Sequence, residues 1–297
     1  MKKLVLSVAV ACVAAYGVYY VANKKVEDEV RTSLVKAYKE TSGTDFKGDV
    51  STNVLLGTLD IKNFTFGEGD PRSGDIKFEG IQYYNKDRIL SDNLKISLNN
   101  YTVKEGQMVY KSDNQLSIKN VGEGKVVVDW VSKTHEDNTS NKLNQHLVFN
   151  IDNIGNTYDT INSELTRSVL DSKYEPDPLK ISKDLMTARI LDAEFVMENE
   201  GLVKKGMING VKAQYPEQTE ADIEKYLKLD GENFLKSTFT EDQTKAIMKF
   251  FNDEQGKLVV KVKNTQNSTI AETYGALLMT ANPAYALSKN YQLTITN

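Results

Sequence analysis

From Gly48 to about Ile154 the chain alternates apolar and polar residues in short runs, several of them built on one template: apolar, polar, apolar, polar, Asn or Gly, apolar. Leu59-Asp60-Ile61-Lys62-Asn63-Phe64 fits it, as do Ile76 to Ile81 with Gly80, Leu116 to Val121 with Asn120, and Phe149 to Ile154 with Asn153. Leu94 to Leu98 shares the alternation. A period of two gives each strand one buried and one wet face, so the pattern predicts a degenerate repeat of antiparallel strands. Further runs at Gln107 to Lys111 and Lys125 to Val131 are expected to fill the wider gaps as strands. Glu136 to Lys142 is the most polar stretch and reads as a loop or hairpin tip.

After Gly155 the period lengthens. Tyr158, Ile161, Leu165 and Val169 share one face of a helix predicted over Asn156 to Ser172. A strand is expected over Thr187 to Glu200, with Leu191, Ala193, Phe195 and Met197 on one side. Helices follow over Leu202 to Gln214 and Thr219 to Lys236, the second opened by Thr219-x-x-Asp222. Thr240-x-x-Gln243 and Thr269-x-x-Glu272 are capping boxes for helices ending at Phe251 and Thr280. Lys257 to Lys263 and Tyr291 to Thr296 read as strands, with a short helix restarting at Asn282-Pro283. Leu258 to Val262 is expected to pair with Gln292 to Thr296. The helices between Leu202 and Ala286 should cover one side of a shared sheet, burying the stripe Ala271, Tyr274, Leu277 and Leu278.

The N-terminus has a different pattern. Lys2 and Lys3 precede nineteen uncharged residues, Leu4 to Ala22, and Lys24 and Lys25 follow. Nineteen helical residues span about 28 Å, close to a bilayer's hydrocarbon core. Tyr20 is too large for the small-x-small cleavage position, so residues 4–22 are expected to be an uncleaved signal anchor in the inner membrane, a cleaved signal peptide being the alternative. The basic head places the N-terminus in the cytoplasm and the body from Val26 onward outside. Ala9-Val10-Ala11-Cys12 is a poor lipobox, and Cys12 reads as a small apolar residue of the span. Val26, Val30, Leu34, Ala37 and Tyr38 line one face of a juxtamembrane helix. The expected layout is a signal anchor over residues 1–25, an amphipathic helix over 26–42, an antiparallel β region over 43–155 and an α+β region over 156–297. The fold class is α+β.

Composition narrows the chemistry. The 297 residues carry 37 Lys and Arg, 41 Asp and Glu, two His and one Cys. A net charge of −4 argues against nucleic acid as a partner. One Cys excludes an intramolecular disulfide, and with two His leaves almost no zinc site. Ser33-x-x-Lys36, Ser91-Asp92-Asn93 and Ser112-Asp113-Asn114 imitate fragments of penicillin-recognising enzymes, but no Lys-Ser/Thr-Gly string completes the set. Gly67-Glu68-Gly69 and Gly122-Glu123-Gly124-Lys125 are read as turns. His135 and His146 lack the company of a triad or metal motif, and Trp130 reads as core. No catalytic, cofactor-binding or metal-binding residue is assigned, and no cofactor is expected.

Gly57-Thr58-Leu59-Asp60-Ile61-Lys62-Asn63-Phe64 resembles the strand signature near the start of AsmA-like and YdgA-like envelope proteins. Ala193 to Leu202, Phe251 to Val260 and Ala271 to Ala286 resemble elements of the YdgA-like family of bacterial proteins of unknown function. The resemblance implies an inner-membrane anchor and a periplasmic body, with no reaction. Three readings follow: a non-enzymatic envelope scaffold acting through a sheet surface on a second copy or another envelope protein; a lipid-handling groove of AsmA-like type lined by Ile61, Phe64, Phe66, Phe78, Ile96 and Leu98; and a hydrolase with an unrecognised site.

Overall fold

A computed structural model describes residues 27–28, 31–32, 35–36, 39, 47–54, 56–65, 72–82, 85, 87–105, 108–152, 154–170, 174, 177–252, 255–279 and 283–297. The expected anchor over residues 4–22, Cys12, the juxtamembrane stripe Val26, Val30, Leu34, Ala37 and Tyr38, and Ser33 lie outside them. Among the described residues no helix is long and apolar enough to cross a membrane. Glu27, Asp28, Arg31, Thr32, Val35, Lys36 and Lys39 are helical, in keeping with a helix there.

The fold is α+β, with ten antiparallel strands hydrogen-bonded in sequence order. They are β1 (Lys47–Asn53), β2 (Thr58–Thr65), β3 (Ser73–Ile81), β4 (Leu90–Glu105), β5 (Met108–Gly122), β6 (Lys125–Glu136), β7 (Lys142–Asp152), β8 (Arg189–Glu200), β9 (Gln255–Asn264) and β10 (Tyr291–Thr296). Helices occupy the last three connections. Between β7 and β8 lie α1 (Ile154–Leu170) and α2 (Pro178–Thr187); between β8 and β9, α3 (Leu202–Gln214), α4 (Glu220–Thr238) and α5 (Glu241–Asn252); between β9 and β10, α6 (Ile270–Leu278) and α7 (Pro283–Asn290). The chain forms two compact units, one of residues 1–128 with Asp152–Ala188, the other of Asp129–Ile151 with Arg189–Asn297.

In the first unit the sequence template turns out to encode β-bulges. In β2 the register shifts between Ile61 and Phe64, and Asn63 takes the left-handed conformation at φ 54°. In β3 it shifts between Glu79 and Ile81 around Gly80, φ 96°, and in β4 between Leu98 and Tyr101 around Asn100, φ 53°. An extra residue in one strand moves the next apolar side chain back to the face it would otherwise leave. Leu59, Ile61 and Phe64 are therefore all buried, as are Ile76, Phe78 and Ile81. Asn120 departs from the pattern. It is absent from the positive-φ positions, Val121 beyond it is exposed, and its side-chain oxygen accepts from the Gly122 N–H.

The two Asn bulges are tied together by carboxylates on the neighbouring strands. Asn63 Nδ2 donates to Asp49 at 3.0 Å and its N–H donates to Asp75 at 2.9 Å. Asn100 Nδ2 donates to the other oxygen of Asp75 at 2.9 Å, and its N–H donates to Asp113 at 2.9 Å. An Asp–Asn ladder thus crosses β1 to β5, and the N–H of each bulged Asn finds a carboxylate. Asn63→Ala should cost about 1–2 kcal/mol, from left-handed strain and a lost side-chain bond, while Asn63→Gly should cost less than half of that. Denaturation midpoints of the two variants check the order; equal losses would mean that the left-handed backbone is not what selects Asn.

The predicted runs Gln107 to Lys111 and Leu116 to Val121 are not separate strands: from Met108 onward both belong to β5. The polar stretch between them is where β5 passes the Asn100 bulge, with Asn114 opposite Leu98, Ser112 opposite Tyr101, and Asp113 serving the ladder. Helix α2 was not expected from periodicity. It is opened by Asp177, whose carboxylate accepts from the N–H groups of Leu179 and Lys180, with Pro178 in the first turn. Trp130, read as core, is only half-buried.

In the second unit β9 and β10 pair as expected, with Leu293 opposite Val262 and Ile295 opposite Val260. Ile247 and Phe250 of α5 form a buried cluster with Leu258 and Ile295. Gln243 closes its capping box by accepting from the Thr240 N–H, and its Nε2 donates to the Leu293 carbonyl of β10 at 3.1 Å. A chain ending at Ala286 loses that anchor and Ile295 together, and it should aggregate or be degraded; unchanged melting would show β10 to be dispensable. The stripe on α6 is a correction. Ala271, Tyr274 and Leu278 are exposed, Leu277 is half-buried, and α6 buries no residue. Its capping box and the Thr273–Tyr291 hydroxyl contact, 2.9 Å, hold the helix without an apolar seat.

Candidate binding cleft

Helices α3, α4 and α5 in the second unit line an open cleft of about 880 Å3. Local sequence places each wall. Gly201 precedes α3 at φ 81°, and a Cβ there would stand 2.7 Å from Asn141 Oδ1, so glycine is required at this step. The Asn199 side chain supplies the cap that Gly201 lacks, accepting from the Val203 N–H at 3.0 Å. Thr219 caps α4 by accepting from the Asp222 N–H, as the sequence indicates. On α4, Ile223 is fully buried and Leu227, Gly231 and Leu235 follow at four-residue steps on the same side.

The cleft lining is mostly apolar and carries three lysines. Met207 and Ile208 of α3, Leu227, Phe234 and Leu235 of α4, and Met248 and Phe251 of α5 supply the apolar surface. Phe251 packs edge-on against Phe250 at 5.7 Å, so the core cluster below the cleft fixes its wall. Lys204, Lys225 and Lys228 stand around the cleft against a single carboxylate, Glu224, which pairs with Lys204 at 3.0 Å. This local positive balance contrasts with the net charge of −4 of the chain. Apolar walls and a few convergent charges are the makeup of small-molecule sites of about 300–1,000 Å3.

Two buried carboxylates lie elsewhere and have structural work. In the second unit Glu136 accepts from Lys205 Nζ at 2.7 and 2.9 Å, from Asn141 Nδ2 at 2.7 Å and from Thr139 Oγ1 at 3.2 Å. The Lys205 ammonium, ahead of Asn141 and Thr139, holds its carboxyl below the ordinary range although burial works the other way. This clamps the β6–β7 tip to α3. In the first unit Glu164 accepts from the Asp177 N–H at 3.0 Å, the Tyr174 hydroxyl at 2.6 Å and Lys180 Nζ at 3.0 Å. Those donors, the Asp177 N–H foremost, bring its carboxyl down to about 2 against the cost of burial. Every donor belongs to the segment that joins α1 to α2 or to α2 itself, so Glu164 pins that connection.

The residues weighed in the sequence do not converge. Ser91 Oγ donates to the Asn93 carbonyl within β4, and Asp92 is engaged by Arg88 and Asn120. The Ser112 hydroxyl accepts from the Asn114 side chain. His146 pairs with Asp129 at 3.0 Å, both side chains about half exposed, and His135 is exposed. Among the described residues no three His, Cys, Asp or Glu side chains are grouped to hold a metal ion. Of the proposed strand trough, Ile61, Phe64 and Phe78 are buried, Ile96 and Leu98 are half-buried, and Phe66 lies outside the described residues. The first three are core rather than the wall of an open groove. The helical cleft was missed because its residues come from three helices whose facing sides no local pattern reports; the mid-helix Gly231 was the signal that could have drawn notice. No protein-family model matches the chain, and no curated protein matches it.

Proposed function

We propose that the chain is a membrane-tethered, non-enzymatic binding protein of the bacterial envelope. Residues 4–22 form the anchor, the body from Val26 lies in the periplasm, and the α3–α5 cleft is the working site. The observation that carries the reading is the cleft itself: an apolar interior of about 880 Å3 with lysines around it. The basic head and nineteen-residue apolar stretch support the placement.

A photoreactive phenylalanine analogue at Phe251, in the full chain in intact cells, is expected to capture the occupant as a mass increase on the peptide carrying residue 251. The same analogue at Leu179, 78% exposed on α2, should capture nothing comparable. No adduct at 251, or equal adducts at both positions, would overturn the cleft as the site. An inactive C-terminal alkaline phosphatase fusion beside a bright green fluorescent one would overturn the placement.

A further inference from the structure

We infer that the α3–α5 cleft takes a long-chain fatty acid, its acyl chain among Met207, Leu227, Met248 and Phe251 and its carboxylate at Lys225 and Lys228. This rests on the cleft being the working site, and it adds the ligand's chemical class. Three observations carry it.

The first is the shape of the polarity. Most of the lining is aliphatic, aromatic or thioether, and the charged groups are drawn almost wholly from one sign. A neutral apolar ligand would not use the lysines, and a small polar anion would not use the interior. A ligand with one apolar chain and one anionic end uses both.

The second is the state of the lysines. Lys204 is neutralised by Glu224 at 3.0 Å, whereas among the described residues neither Lys225 nor Lys228 has a carboxylate within 4.0 Å, Glu232 being felt by Lys228 only at longer range. They lie three residues apart on α4, on neighbouring positions of the helix surface. One carboxylate can accept from both ammonium groups.

The third is Gly231. It lies inside α4, where glycine costs about 1 kcal/mol relative to alanine. No left-handed backbone calls for it, and an added Cβ would meet nothing within 4 Å. Gly206, Gly210 and Gly275 share this freedom, but of the four only Gly231 lines the cleft. It lines the cleft, and a larger residue there would project into the open volume. The mid-helix glycine keeps room for a chain to lie against α4. Met207 and Met248, flexible thioethers, suit a wall that adapts to a chain of variable length.

The test uses the full chain reconstituted in phosphatidylcholine nanodiscs, with a diazirine-bearing palmitic acid as probe and adducts mapped by peptide mass spectrometry. Adducts are expected on peptides carrying Met207, Leu227, Met248 and Phe251. Gly231→Leu should lower their yield at least tenfold without lowering the melting temperature, because the substitution improves helix propensity while filling the cleft. Lys225→Glu with Lys228→Glu should lower the palmitic acid yield at least fivefold and leave labelling by the matching diazirine alcohol unchanged. Undiminished labelling in Gly231→Leu would overturn the cleft as the chain's seat, and equal labelling by acid and alcohol in the wild-type chain would overturn the carboxylate assignment. Capture at Phe251 in cells with no labelling by the acid would overturn the fatty acid and leave the cleft as the binding site.

Discussion

Gly80→Ala is expected to destabilise the first unit by about 3 kcal/mol or more. Two independent costs act at this position. Its φ of 96° lies where a Cβ is strained. A Cβ would also collide with the Asn93 carbonyl of β4, which belongs to the paired backbone and cannot swing away, and would approach Ser91 Oγ to 2.7 Å. Gly57 shares the fate of this bulge. Its carbonyl accepts from the N–H groups of Gly80 and Ile81, at 3.1 and 3.0 Å, so displacing residue 80 unseats the β1–β2 turn as well. Gly122→Ala is the control, with φ 81° and open space around an added Cβ, and it should cost only the conformational part, about 1–2 kcal/mol. Denaturant midpoints for the two variants measure the difference. Equal losses would show that the close approach of β4 contributes nothing.

Loss of the Glu164 carboxylate should be nearly as severe, about 2–3 kcal/mol for Glu164→Ala. The side chain is 1% exposed and serves three donors, of which the Tyr174 hydroxyl and the Asp177 N–H would be left without it. Lys180 is half-exposed and can return to water, which keeps the cost below that of orphaning a fully buried charge. The same group makes stability depend on pH. Folding lowers its carboxyl from an ordinary value near 4.5 to about 2, so its contribution is present in full above 4.5 and is lost as pH falls through that interval. The amount is on the order of 1–3 kcal/mol once solvent around Lys180 is allowed for. Wild type should therefore lose more of its advantage over Glu164→Gln between neutral pH and about pH 3 than any exposed ion pair can explain. A difference between the two chains that stays constant across that range would remove Glu164 as the cause.

The cleft and these scaffold residues belong to different units. Gly80, Glu164 and the Asp–Asn ladder belong to the first unit, whereas the lysines and the apolar lining belong to the second. Substitutions in the ladder should change stability without changing the affinity of the cleft, and Gly231→Leu should do the reverse.

The sequence by itself determined most of the secondary structure. Alternation located β2 to β7 but not β1, and the Thr240 and Thr269 boxes and the Thr219 cap set three helix starts, because these signals act over a few residues and need no partner. It also held the bulges, since a template that steps from apolar to apolar in two residues and then in three can keep one face only if the backbone absorbs the extra residue. Asn63 and Gly80 are the types that tolerate that conformation. Tertiary structure decided what depends on distant partners. Asp75 is one more polar residue until Asn63 and Asn100 arrive from two neighbouring strands, and Glu136 is a loop acid until Lys205 reaches it from 69 residues away. Tyr274 and Leu278 look like core at helical spacing, yet α6 is held by its cap and by Thr273 instead of by its apolar side. The cleft is the extreme case. Each of its helices is legible alone, but the volume between them exists only after α3, α4 and α5 have been packed, and a gap has no residue of its own to mark it.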